Sequence, residues 1–398
     1  MLLSLFAALL LAPLPQDRVD LKDGKSVEGR VVAELKDSLV VRSNKHDRTI
    51  ARAEVATVTS LERSLAAVLE HDTGSSDAAG CAALAAECEA AGLSGEARNY
   101  WLRTLLADPA HAAARKALDA KPVKDDVTLH LGKHGMHLSA LRAGSLKWKE
   151  AYELPTTHFV LKTDLPLQKA LDVATALERF HVRFYALLGE PLGLYIFDER
   201  TLPEIRVYFE GAAYPTPPVK GERVWFSMGE NALNVAADGQ LSLPAVVGEL
   251  SRQMLFSALR RGVGPTAQVQ PWLTAGLQEY FARTAPESLG GPRPDTAAAL
   301  AAAARQLAGK DVKLTTLFNA PMAAFSTDAN RADMSNAACT LLHFLVAGRD
   351  GALRDGFGRY VNDGAKGKLS MASFSEHLKL KPDEIEAQWR EHVAQLAR

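Results

Sequence analysis

Cysteine is scarce in this chain: three in 398 residues, at Cys81, Cys88 and Cys339. Cys81 and Cys88 lie seven apart on one expected helix, about 10 Å of rise, too far for a disulfide. A disulfide framework is therefore excluded, and the thiols read as small buried hydrophobes. Net charge is also nearly absent, with 46 basic against 47 acidic residues. That removes the electrostatic footprint needed for a nucleic acid or an anionic membrane surface. Aromatic residues make up only 7% against 47% hydrophobic, which suits a mostly helical protein large enough for two or three cores. Beyond residue 14 no run is long and apolar enough to cross a bilayer. Phosphate loops, nucleophile elbows and dinucleotide fingerprints are missing too.

What is present begins with a short apolar run, residues 2–11, followed by Ala12-Pro13-Leu14-Pro15-Gln16. It is too short to span a membrane and reads as a signal peptide over residues 1–16, which makes the protein exported, periplasmic or extracellular. No cysteine follows it, so a lipoprotein is not expected. Residues 17–62 hold five short alternating runs, 19–21, 27–35, 38–42, 48–51 and 55–58, separated by turn chemistry such as Asp23-Gly24 and Lys36-Asp37. They predict a small SH3-like β barrel. Between residues 76 and 120 the period becomes helical. Leu84 and Cys88 share one face, Ala97, Trp101 and Leu105 another, Gly92–Gly95 joins the two helices, and Asp108-Pro109 opens a third. This is similar to a single tetratricopeptide-type hairpin, assigned to 63–120, and one repeat alone cannot make a solenoid.

Residues 121–150 read as a polar connector carrying His130, His134 and His137. Three imidazoles so close are candidate transition-metal ligands. The plain reading is an exposed hairpin or loop, since Gly132 and Gly135 break any helix that would align them. From 151 to 398 a larger α+β domain follows. Strands are expected at 157–162, 192–197, 205–209, 223–228 and 233–236, with a long amphipathic helix over 166–188. Helices dominate thereafter, over 295–307, 335–347, 351–362, 371–378 and 381–396.

The centre of that domain is 241–282. Leu243, Val246, Val247, Leu250, Met254 and Ala258 form one apolar stripe. Ser242 is placed as N-cap, Pro244 in the first turn, and Gly262–Pro265 at the end. Gly248, Glu249 and Arg252 occupy the outline of H-E-x-x-H, and Pro271-Trp272-Leu273-Thr274-Ala275-Gly276-Leu277-Gln278-Glu279-Tyr280 the outline of W-L-x-E-G-x-x-E-Y. With a sheet ahead and helices behind, the chain resembles the peptidase MA-like superfamily of gluzincin-type zinc metallopeptidases. The likeness extends over about 152–398 and is nearest to exported bacterial proteins with a small β unit or helical repeat in front.

In such enzymes two histidines and a glutamate bind zinc, and a second glutamate takes a proton from the zinc-bound water. Carried over position by position, the ligands fall at Gly248, Arg252 and Ala275, and only the general base, Glu249, keeps its chemistry. Glycine and alanine offer no ligand atom, and arginine stays cationic. The resemblance therefore implies no metal and no cofactor, with Glu249 a relict base. Glu279, Trp272 and Tyr280 would line the relict cleft, and the family's stabilising tyrosine falls at Ser335. Alternative placements are an ordinary solvated i,i+3 pair for Glu249 and Arg252, or an Arg252 bridge from Glu249 to Glu279. Trp272 and Tyr280 serve equally as core aromatics, and His343, four after Cys339, as a packed histidine.

Three readings follow. The first is a non-catalytic metallopeptidase-like protein that binds a peptide or protein in the relict cleft, along the edge strand at 223–236, or serves as scaffold. The second is an active zinc hydrolase with ligands displaced to His130, His134 or His137. The third is a structural envelope protein assembled through its front modules.

Overall fold

The computed structural model describes residues 17–35, 37–43, 46–74, 76–131, 135–144, 146–189, 202–209, 213–237, 241–263, 269–289, 293–364, 367 and 369–398. The signal peptide expected at 1–16, His134, and the strand expected at 192–197 lie outside the described residues. Within them the chain is mixed α+β with three separate sheets.

The first sheet comprises β1 (Asp17–Leu21), β2 (Ser26–Glu34), β3 (Ser38–Ser43), β4 (His46–Ala51) and β5 (Val55–Thr59), antiparallel in the order β4-β3-β2-β1-β5. The register shifts twice, between Val31 and Ala33 where β2 pairs with β3 and between Asp20 and Leu21 where β1 pairs with β5. The bulge turns β2, so Val27 and Val31 join Val19, Leu39, Val41 and Ile50 in one cluster while Val32 and Ala33 join Val40 in another.

Helices α1 (Leu61–His71), α2 (Ala78–Ala90), α3 (Ser94–Ala107) and α4 (Ala112–Ala117) follow. The helical period was expected only from residue 76, but α1 starts directly behind the sheet, with the Ser60 hydroxyl accepting from the Arg63 N–H. The third expected helix starts four residues later than Asp108. That residue forms a turn instead, accepting from Ala110 N, and the His111 ring caps α4. The stretch expected as a connector is a second sheet, β6 (Lys121–Val123), β7 (Asp126–His130) and β8 (Gly135–His137), followed by α5 (Leu138–Ala143).

The third sheet contains β9 (Tyr152–Pro155), β10 (Val160–Thr163), β11 (Glu204–Tyr208), β12 (Val224–Ser227) and β13 (Ala232–Ala236) in the order β12-β13-β11-β10-β9. Its three inner strands are parallel, and β9 and β12 are antiparallel edges. The strand expected from residue 157 begins at Val160. Thr156 N donates to the Phe159 carbonyl, so His158 sits in a turn. Helix α6 (Leu167–Phe184) leaves β10 and buries Leu171, Ala174, Leu177, Phe180 and Phe184.

After the sheet come α7 (Leu243–Val263), α8 (Pro271–Arg283), α9 (Thr296–Leu307), α10 (Leu314–Asn319), α11 (Ala323–Ser326), α12 (Arg331–Ala347), α13 (Arg354–Gly364), α14 (Met371–Leu378) and α15 (Pro382–Ala397). The two short helices α10 and α11 were not anticipated, because four to six residues carry little periodic signal. One continuous apolar cluster runs from Leu65 in α1 to Val393 in α15, whereas the first sheet keeps its own two clusters.

Candidate functional site

Helix α7 crosses α8 at very short range. A Cβ built on Gly248 would stand 3.1 Å from the Gln278 carbonyl oxygen and 3.6 Å from the Ala282 Cβ. Gly248 costs about 1 kcal/mol in helix propensity against alanine, and this close approach accounts for its presence. Gly276 on the other side of α8 does the same against the Ala338 carbonyl of α12. Helix α8 is thus clamped between two neighbours.

Glu249 sits beside this crossing with its carboxylate largely buried, 11% exposed. One oxygen, Oε1, accepts from Arg252 Nη1 at 2.8 Å and from the Phe226 backbone N–H of β12 at 3.3 Å. The other, Oε2, accepts from the Gln278 amide of α8. Burial pushes Glu249 above the usual carboxylate range, against the pull of Arg252 and the hydrogen bonds. The i,i+3 pair with Arg252 is therefore present but is no solvated surface pair. Arg252 does not bridge to Glu279, which instead pairs with Arg283 at 2.6 Å on its own helix. Phe226 is free to reach Glu249 because the β12 backbone alternates. Arg223 accepts from Ala236 of β13 at 2.8 Å, so Val224 and Phe226 turn their polar groups to the open edge.

The remaining expected positions fall elsewhere. Ala275 is buried in α8. Trp272, expected as core or cleft wall, is core: it is fully buried against Phe318, Phe357 and Phe374. Tyr280 is buried beside Phe281. Ser335 donates to the Phe325 carbonyl. His343 Nδ1 lies 3.0 Å from His392 Nε2, a packed histidine with a ring partner, and Cys339 is fully buried with its thiol pushed up to about 12 by desolvation. His130 and His137 are exposed on β7 and β8, and His137 lies 3.7 Å from Asp126.

A zinc ion of the kind the resemblance brings to mind does not fit this donor set. Gly248 and Ala275 bring no ligand atom, the space beyond Gly248 is filled by α8 backbone, and Arg252 places a guanidinium against Glu249.

A second polar cluster lies where the first sheet and α1 meet α6, and it was missed in the sequence. His158 is buried between two carboxylates: Nε2 stands 2.6 Å from Glu62 Oε1 on α1, and Nδ1 2.6 Å from Glu178 Oε2 on α6. Glu178 also accepts from the His158 N–H at 2.8 Å. Two ionised carboxylates only accept, so both ring nitrogens must donate and His158 is an imidazolium. Burial opposes that charge, but Glu62 and Glu178 outweigh it and hold His158 at about 10. His181 stacks on it, ring centroids 3.4 Å apart and planes 9° from parallel. Burial and the His158 cation bring His181 down to about 3, so it is neutral. Burial works against Glu62, yet the His158 imidazolium and Arg30 keep it below the usual range. Arg30 reaches from β2, 3.3 Å from Glu62 and 3.5 Å from Asp17 of β1. Beside this network Glu96 of α3 accepts from the Thr157 N–H and hydroxyl, both at 2.8 Å, and burial together with Glu178 pushes it up to about 7.

Ligand atoms of Glu62, His158 and His181 lie within 4.8 Å of one another, the separation of a metal site. Ring orientation argues otherwise. An imidazole lone pair lies in its ring plane, and two parallel planes 3.4 Å apart share no point where one ion sits in both. The arrangement is an imidazolium–imidazole stack inside a buried ion network.

Compared with family models, curated proteins and solved structures, the chain matches none.

Proposed function

We propose that this chain is an exported, non-catalytic metallopeptidase-like protein, a binding scaffold whose relict cleft has become part of its own framework. One observation carries the reading: every donor around Glu249 is internal, with β12, α7 and α8 each supplying one. A general base must be free to take a proton from water, and this carboxylate is engaged on both oxygens. The frame itself is supported by a mixed sheet whose antiparallel edge lies against α7, followed by α8 and further helices. The strand order of the first sheet favours the SH3-like assignment, and the α2–α3 pair the tetratricopeptide-like one. The partner in this reading is a peptide or protein. Strand pairing along β12 must displace Glu249 from Phe226, so a contact away from that edge fits better.

Elemental analysis and a casein-hydrolysis assay on the purified full-length protein test this. The expected result is no stoichiometric zinc and no cleavage. Stoichiometric zinc that disappears when His130, His134 and His137 are replaced would favour the displaced-ligand hydrolase and sink the proposal.

A further inference from the structure

A cavity of about 550 Å³ opens between α6, the first turns of α7 and the chain linking α1 to α2. That volume is in the range of small-molecule sites. Four arginines line it, Arg103, Arg179, Arg183 and Arg293, against two carboxylates, Asp72 and Asp172, an excess of two cations. The carboxylates are already committed. Asp172 accepts from Arg103 at 2.8 Å, and Asp72 lies 3.3 Å from Arg179.

Arg183 is different. It spends its donors on neutral groups, the Thr284 carbonyl at 3.1 Å and the Thr284 hydroxyl at 2.8 Å, and no carboxylate among the described residues pairs with it. Arg293 is exposed at the same cavity and likewise has no carboxylate partner among the described residues. Burial, and then repulsion from Arg293, lower Arg183 to about 10. Two guanidiniums that repel each other in a partly desolvated cavity cost stability unless an anion joins them. Leu243, in the cavity wall, is the first residue of the 21-residue helix α7, whose N-terminal dipole also favours negative charge there. Phe180, Leu243 and Val247 add apolar surface to the same lining.

We propose that this cavity is a binding site for a small organic anion, its phosphate or carboxylate head held by Arg183 and Arg293 and its apolar part laid on Phe180, Leu243 and Val247. Guanidinium forks match both head groups, which present paired oxygens at similar spacing. The site is separate from Glu249 and does not depend on the relict-frame reading.

Calorimetric titration of the full-length protein with phenyl phosphate, benzoate, inorganic phosphate and uncharged benzyl alcohol tests it. Saturable one-to-one binding of at least one aromatic anion is expected, the stronger of phenyl phosphate and benzoate identifying the head group, with no binding of benzyl alcohol. Arg293→Gln, at an exposed position, should weaken binding about tenfold without shifting the melting temperature. Arg183→Gln should abolish it, and where loss of the Thr284 contacts disturbs folding, Arg293→Gln alone decides. Inorganic phosphate binding as tightly as phenyl phosphate would remove the apolar half of the proposal. No saturable binding of any of the three anions, or binding indifferent to Arg293→Gln, overturns it.

Discussion

Glu249 shows how one buried side chain can tie three elements together. Its carboxylate fastens β12, α7 and α8 together, so Glu249→Ala leaves the Gln278 amide, the Phe226 N–H and Arg252 short of an acceptor. An unfulfilled buried donor costs about 1–3 kcal/mol, and urea unfolding should register a loss of that size, with Glu249→Gln milder. A loss below a few tenths would mean the carboxylate is not a strut. Gly248 gives the complementary case. Placing a histidine there drives an imidazole against the Gln278 carbonyl, already only 3.1 Å from an added Cβ. Overpacking of this kind costs about 1–3 kcal/mol, so Gly248→His should lower the urea midpoint. If the variant is as stable as the parent, the helix crossing is looser than described. The Glu249–Arg252 pair was legible from its i,i+3 spacing. Its other partner was not: Gln278 and Glu279 are adjacent on α8, about 100° apart around the helix, and only the crossing geometry selects Gln278.

At the scale of elements, the histidine–carboxylate network joins α1, α6 and the turn before β10. Nothing in the sequence pattern brings its members together, because Glu62 and His158 are 96 residues apart and touch only in the fold. One signal was available: Glu178 and His181 interrupt the buried face of α6 beside Leu177 and Phe180, where polar side chains require partners. Existence and type of most long elements were readable from period. Parallel pairing within the third sheet, the start of α1 and the turn at His158 were not, because each depends on contacts distant in sequence. The network also sets a pH dependence. His158, raised from 6.5 to about 10, contributes stability fully present below pH 6.5 and lost as the pH climbs toward 10. Glu96, raised from 4.5 to about 7, likewise loses its contribution between those values. His181, lowered from 6.5 to about 3, contributes stability present above 6.5 and lost toward 3. Glu62 and Glu178, held below 4.5, add a further loss in acid. Between 4.5 and 6.5 the opposing slopes of Glu96 and His181 offset each other. Stability measured by urea midpoint should thus be highest there and decline on both sides. His158→Gln should lose about 3–5 kcal/mol at pH 6 by stranding two buried carboxylates, and its deficit against the parent should shrink toward pH 10. A deficit constant with pH would show that His158 is not charged.

For the whole molecule, the question is how the first sheet is held. It keeps separate apolar clusters, while the continuous core begins at Leu65. Attachment therefore leans on polar links, and Arg30 is central because it faces both Asp17 of β1 and Glu62 of α1. Asp17 strengthens the joint by accepting from Leu61 N at 2.9 Å and Val31 N at 2.7 Å. Removing the guanidinium leaves two buried carboxylates near each other without that cation, an arrangement that favours separation of the sheet from α1. Arg30→Ala should raise hydrogen exchange across β1, β2 and β5 by more than tenfold, equivalent to about 1.4 kcal/mol of local opening, with the α7–α8 amides little changed. The contrast between regions is what tests the idea. Equal acceleration in β1–β5 and in α7–α8 would mean that the sheet opens only with the rest, and the polar joint would then be no more decisive than the surrounding packing.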